Sequence, residues 1–401
     1  MNEPNDGMMR SRHRHRLSGR MLMAVAAALV PAFAAACPFC GAVGQSLAQR
    51  RDAAAAVAVG EATGAVTADD AGMPTQRFRV DQVLRGAAPV AAPGDAVTAR
   101  VATPVSGTAL LFAADVPATD TAAGAARWSA TAADEPLLGH VATAPDVGLP
   151  AAERLRWFAT RLEHPEPAIA ADAFTEFGLA PFAAVRAAAD AVDSRGLAAW
   201  LADPGIDQRR RGLYGLLVGA VARGTGDPTL RRECLSALER AIAAPADDFR
   251  AGFDGLLAGL LVAEGERGID QLAARGLFGP DARPLDQRHL LAALRFAAES
   301  LTDEIPPERI AAATRRLLDR PGVAADAAID LARLRAWDAV DDVARLWDSL
   351  GGDDPLVRRA VAGYLTACPL PAAKRHLDAI ATRDGARLRQ AVDAAALPAA
   401  R

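Results

Sequence analysis

From about residue 150 onward, apolar residues recur at spacings of three and four and are broken at short intervals by Pro, Gly or Asp. That periodicity predicts helices. They run over 151–163, 167–177, 181–192, 196–202, 208–223, 228–243, 247–263, 268–277, 286–299, 306–319, 324–333, 339–349, 355–367, 371–382 and 386–396. The clearest unit is 353–368. Asp353 or Asp354 caps it, Pro355 fits its first turn, and Pro369 ends it. Leu356, Val357, Ala360, Val361, Tyr364, Leu365 and Cys368 form one apolar stripe, from which Arg358 and Arg359 are excluded. Ahead of residue 135 the period drops to two, the signature of half-buried strands. Val57 and Val59 mark a strand in 55–65, Phe78 and Val80 one in 77–86, and Val97, Ala99 and Val101 one in 94–101. The run Ala109, Leu110, Leu111, Phe112 marks another in 107–116, with a fifth at 127–132 and a short helix over 41–51. Five short strands between turn residues predict a small barrel or sandwich. The Ala/Thr/Asp/Pro-rich stretch that follows reads as a linker in its second half, 136–150.

The segment Asp227-Pro228-Thr229-Leu230-Arg231-Arg232 repeats the Asp-Pro and Arg pair of 354–359 at an offset of 127 residues, close to three units of about 42. In this the helical region, 151–398, resembles HEAT-type repeats. The resemblance implies an α-solenoid whose concave face binds a partner; an irregular α-bundle is the alternative. Within 37–135, Cys37-x-x-Cys40, then Phe78-x-Val80-x-x-Val83-Leu84-x-Gly86, then a Gly94-Asp95 strand is similar to netrin-like and tissue-inhibitor-type OB barrels. Those families staple the barrel with further cysteines, and here none lies between Cys40 and Cys234. The whole layout resembles exported bacterial proteins of planctomycete type with HEAT-like C-terminal regions, which implies no activity.

Residues 1–36 read as a signal peptide. Arg10, Arg12, Arg14, Arg16 and Arg20 are basic, 21–36 is apolar, and Ala34-Ala35-Ala36 offers a cleavage site directly before Cys37. Translation from Met8 or Met9 would drop the acidic start. The expected location is periplasmic or cell-envelope, with membrane attachment only through a lipidated Cys37 or an uncleaved leader. Without 1–36 the chain has 40 basic and 47 acidic residues, a net charge of −7. That balance argues against nucleic acid as a partner. The positive charge is carried by Arg, since Lys374 is the single lysine.

Cys37-Pro38-Phe39-Cys40 is the sharpest chemical signal. The pair could form a disulfide, exchange with a substrate thiol, or hold a soft metal. Metal binding lacks two further ligands in the sequence, and Gly41 replaces the His that a haem link needs. Cys37 is also a lipidation candidate, or an N-terminal clamp for a protease zinc. Cys234 and Cys368 lie on apolar helical stripes and read as packing residues. Arg209, Arg210 and Arg211 form a candidate patch for an anion or an acidic partner, with a solvated helix edge as the plainer reading. No histidine pair has metal spacing, and no Gly-x-Ser-x-Gly, phosphate loop or calcium loop occurs. The sequence therefore points first to an exported non-enzymatic interaction or scaffold protein without cofactor, binding an unidentified protein. A thiol-redox or metal-handling protein using Cys37 and Cys40 comes second, and a protease-inhibitor-like β domain third.

Overall fold

A computed structural model describes residues 39–40, 44–86, 91–114, 127–245 and 248–396. A short helix, α1 (Leu47–Ala53), leads into six strands: β1 (Ala56–Ala62), β2 (Thr67–Ala68), β3 (Pro74–Arg85), β4 (Ala96–Val101), β5 (Thr108–Ala114) and β6 (Arg127–Ala132). The sheet runs β1-β5-β6-β4-β3, and β1 also pairs with β3, so five strands close into a small barrel with β2 appended to β3. Every pairing is antiparallel except β4 with β6. Register shifts between Val57 and Ala58, and between Val59 and Gly60, bend β1 against β3, as closure of so small a barrel requires.

The barrel interior is small and apolar: Ala56, Ala58, Phe78, Val80, Ala99, Leu111 and Trp128 meet there. The opposite faces of β1 and β5 are also buried. Val57, Leu110 and Phe112 pack with Leu137, Val141 and Ile169 of two helices. This explains why 109–112 is an unbroken apolar run: a strand covered on both faces has no polar side.

The stretch expected to be a linker carries helix α2 (Glu135–Thr143), capped by Asp134, whose side chain accepts from the Leu137 amide. Fourteen more helices follow: α3 (Ala151–Ala159), α4 (Pro167–Leu179), α5 (Phe182–Ala188), α6 (Ser194–Ala202), α7 (Gln208–Gly224), α8 (Pro228–Ala243), α9 (Phe253–Glu264), α10 (Glu266–Ala274), α11 (Pro284–Ser300), α12 (Pro307–Arg315), α13 (Ala324–Arg333), α14 (Val340–Ser349), α15 (Pro355–Ala367) and α16 (Pro371–Ala396), the last broken at Asp384. The helix expected over 247–263 begins only at Phe253, because Arg250 and Gly252 adopt left-handed backbone just before it.

Most odd-numbered helices pair with the helix that follows: α3 with α4, α7 with α8, α9 with α10, α11 with α12, and α15 with α16. By contrast, α6 packs on α7 and α8, and α14 on α15 and α16. The odd-numbered helices stack in a row. Helix α3 packs on α5, α5 on α7, α7 on α9, α9 on α11, α11 on α13 and α13 on α15. From α7 on, these row helices start at Gln208, Phe253, Pro284, Ala324 and Pro355, at irregular intervals of 45, 31, 40 and 31 residues. The two Asp-Pro helices matched in sequence are not equivalent: α15 belongs to this row, whereas α8 is the second helix of its hairpin. Helix α15 buries six residues of its apolar face, and α8 buries four, Cys234, Ala237, Leu238 and Ile242. The shared motif is a helix start, since Asp227 and Asp354 each accept from the amide two residues on.

The row is tightest between α7 and α9. Residues 212–222 of α7 are all buried, so this helix has no polar face. Its Gly212, Gly215 and Gly219 face Gly255 and Gly259 of α9, and a Cβ added at Gly219 would lie 2.1 Å from the Gly259 carbonyl oxygen. The two backbones are thus in direct contact, which only glycine permits.

Candidate functional site

Of the Cys37/Cys40 pair, Cys37 lies outside the described residues. Cys40 is disulfide-bonded and only 5% exposed. It sits with Phe39 in the main helical core. The Phe39 ring meets Phe296 of α11 edge-on at 5.2 Å, Phe182 of α5 meets the same Phe296 at 4.9 Å, and Phe39 backs onto Gly212. The segment before the barrel is therefore part of the packing of the helical array.

A buried polar junction extends this anchoring through α1. Ser46 caps α1 in a box with Gln49. The Ser46 hydroxyl donates to Glu176 of α4, which also receives Arg154 of α3. The Leu47 amide donates to Asp172 Oδ1 at 2.6 Å, and Asp172 Oδ2 lies 2.8 Å from His140 Nε2 of α2. The His140 ring packs against Trp157 and Phe158. Arg51, also buried, donates to the carbonyls of Val141, Ala144 and Pro145 at the end of α2. Asp52 receives Arg51, Arg85 and the Val147 amide. Burial pushes the Asp52 carboxyl up, but these hydrogen bonds and the two guanidinium charges outweigh it and hold it below its ordinary value. Buried charges persist only when paired in this way. Asp172 and Glu176 stand four residues apart on a face shared with Ile169, Ala173 and Phe177. Two acids inside an apolar stripe were a legible signal of a buried partner; which partner depended on contacts 125 and 130 residues away.

The three arginines starting α7 do not act as one patch. Arg209 is exposed and turns back on its own cap, Asp207, at 3.0 Å. Arg210 reaches Glu163 at 2.8 Å and the Leu162 carbonyl, where Tyr214 also donates its hydroxyl to Glu163. Arg211 faces a different way and lines a small cavity beside Pro245 and Phe253. The free thiols of Cys234 and Cys368 are buried; burial is the main cause pushing Cys234 up, which leaves it unreactive.

Two larger recesses lie on the array. The first is a groove of about 540 Å³ between α12, the end of α13 and the start of α14. Leu331, Leu334 and Ala339 contribute apolar surface, and Arg315 binds both Asp342 and Asp338 along one wall, where Asp342 also takes Arg345. Arg335 lines it with a left-handed backbone, φ 54°, and its guanidinium has no partner among the described residues. Glycine is the usual residue at such a helix end, so a side chain here is held at a cost of roughly 1 kcal/mol. Arg316 stacks over Phe278 at 4.3 Å.

The second recess, of about 530 Å³, lies among the ends of α8 and α10 and the starts of α9 and α11. Arg250, again left-handed at φ 54°, crosses its wall. Its guanidinium covers the Phe253 ring at 3.5 Å and donates to the Ile242 and Ala244 carbonyls and to Asp286 Oδ2 at 3.1 Å. The other oxygen, Asp286 Oδ1, is buried without a hydrogen-bond partner. An orphaned buried acceptor costs about 1–3 kcal/mol.

Among the described residues, no group of three or more His, Cys, Asp or Glu could hold a metal ion, and no helix is long and apolar enough to cross a membrane. Neither a family model, nor a curated protein, nor a solved structure matches this chain.

Proposed function

We propose that this chain is an exported, non-enzymatic interaction protein that holds a protein partner in the groove between α12 and α13–α14. The observation that carries the reading is Arg335. It is an unpaired cation kept in an unfavourable backbone conformation on a recess where Arg315, Asp338, Asp342 and Arg345 are already paired with one another. Backbone strain of this kind collects where a side chain is needed for function. The stacked helical hairpins support a HEAT-like array with irregular units. The barrel's strand order, with its single parallel pair, supports an OB-like reading and an adaptor role for that part. Export rests on the leader-like residues 1–36 and on the resemblance of the layout to exported bacterial proteins with helical C-terminal arrays. The burial of Cys40 favours a structural disulfide over an exchanging one, since a catalytic thiol must be reachable by its substrate.

Site-specific photo-crosslinking in the envelope of cells producing the protein tests this. A crosslinker at Ala312, exposed on the groove wall, should capture a discrete partner that one at exposed Ala381 of α16 does not, and Arg335→Glu should abolish the capture. Identical products at both positions, or capture indifferent to Arg335→Glu, would remove the groove from consideration.

A further inference from the structure

We infer that the segment 248–252, which leads into α9, is a proton-operated wall, held shut while the His289 imidazole is protonated and released when it loses that proton. This stands independently of the interaction reading. Arg250 and Phe253 line both the recess at the starts of α9 and α11 and the smaller cavity, of about 240 Å³, beside Arg211. Asp248 and Ala251 also line the smaller one, so the segment is a wall common to the two. Its backbone is left-handed at Arg250 and at Gly252, with φ 54° and 78°. For an arginine that conformation costs roughly 1 kcal/mol. The segment therefore keeps its shape only because side chains around it hold it.

Three basic side chains hold it. Arg250 ties it to the Ile242 and Ala244 carbonyls and to Asp286, and Arg283 donates to the Asp248 carbonyl at 2.5 Å. His289 of α11 is only 6% exposed. Its Nε2 lies 2.9 Å from the Phe249 carbonyl oxygen, and its Nδ1 lies 3.5 Å from Asp254 Oδ2. The Phe249 and Phe253 rings pack against the imidazole at 5.0 and 5.8 Å. Both ring nitrogens thus face oxygens that accept. A neutral imidazole has one N–H and turns a lone pair toward the other oxygen, whereas the imidazolium satisfies both. The two guanidiniums stay charged at any ordinary pH, so His289 is the member of the three that titrates near neutrality. Asp254 on α9 and Asp286, three residues earlier on α11, act on the ring with negative charge, and Arg250 is already bound to Asp286. Helix α13 meets α11 further on, at Arg295, whose charge is bound by Asp330. Burial works against a charged imidazole, but the bonds to Asp254 and the Phe249 carbonyl and the two carboxylate charges outweigh it, raising His289 above 6.5. The hold is therefore complete below pH 6.5 and is lost as pH rises through the raised folded value.

The test pairs a histidine-ring NMR titration of the protein, from about pH 5 to about pH 9, with amide hydrogen exchange corrected for its intrinsic pH dependence. His289 should titrate above 6.5, its resonance assigned by its loss in His289→Gln. The Arg250 and Phe253 amides are hydrogen-bonded in the closed segment, to Asp248 Oδ1 and to the Arg250 carbonyl. Their protection should fall about tenfold across that titration, the loss of one charged hydrogen bond, while residues 212–222 of α7 keep theirs. Asp254→Asn removes one carboxylate and should move the titration and the protection step down together. His289→Gln keeps a neutral donor for the Phe249 carbonyl and should abolish the step. The inference is overturned if His289 titrates at or below 6.5, or if protection of the segment does not change through its titration. It is equally overturned if 212–222 lose protection in parallel, or if Asp254→Asn leaves both midpoints in place.

Discussion

Gly219→Ala is the most direct probe of how the helical row is held together. On an open helix the change would stabilise, because alanine gains about 1 kcal/mol over glycine in helix propensity. Here the new Cβ would lie 2.1 Å from the Gly259 oxygen and 2.7 Å from its Cα and carbonyl carbon, where ordinary contact begins at 3.4 Å. The obstacle is helix backbone, which has no rotamer to change, so α7 and α9 must part by roughly 1.3 Å at this contact. A gap of that order forfeits a quarter to a half or more of the dispersion energy along the crossing. Overpacking of this kind costs about 1–3 kcal/mol, and a backbone clash belongs at the upper end. Subtracting the propensity gain leaves a net loss of about 2 kcal/mol. Urea unfolding of the protein, followed by far-UV circular dichroism, measures it. Gly139→Ala in α2 is the control: nothing lies within 4 Å of its Cβ, so it should stabilise by up to about 1 kcal/mol. Adding Gly259→Ala should cost less than its own single effect, since the crossing is already open. If Gly219→Ala proves as stabilising as Gly139→Ala, the backbones do not touch.

Two further outcomes follow from buried groups. The chain has two tyrosines, Tyr214 and Tyr364, and burial is the main cause raising both phenols above the ordinary value of 10.0. The folded protein thus keeps protons that the unfolded chain releases, so stability is lost as pH rises beyond 10. Ultraviolet titration should show no tyrosinate at about pH 11 in the native protein and two in denaturant, and a native titration near 10 would contradict the burial. Arg51→Ala should cost roughly 2–3 kcal/mol, because the carbonyls that end α2 lose a buried charged donor. Arg51→Lys should recover less than half of this, since an ammonium cannot fan across three carbonyls. Equal stability of the lysine variant and the native protein in urea would show that charge alone is sufficient.

Local chemistry was enough to mark most elements. The helix start at Pro228, the whole of 324–333, and the span 355–367 are legible because Asp-Pro caps, apolar stripes and terminal Pro or Gly are local signals. Of the barrel strands, those at 55–65, 77–86 and 94–101 were legible by their alternation, and the one at 107–116 by its unbroken apolar run. Helix α2 was not, because its buried face, Leu137, His140 and Val141, has helical spacing but is interrupted by a polar histidine that is buried against Asp172. The apparent repeat linking 227 to 354 recorded a shared helix start and carried no information about which row each helix joins.

The candidate sites divide along the same line. The sequence by itself determined the composition of the chain, its leader-like start, the cysteine pair and the identity of most elements, because each depends on residues near one another. The tertiary structure decided that Phe39 and Cys40 are core residues and that Arg209, Arg210 and Arg211 point to three different places. It also decided that Arg250 leaves one oxygen of Asp286 unpaired. Those facts depend on which backbones approach closely enough to bury a side chain, as at the glycine contact of α7 with α9, and the spacing of residues along the chain does not encode that approach.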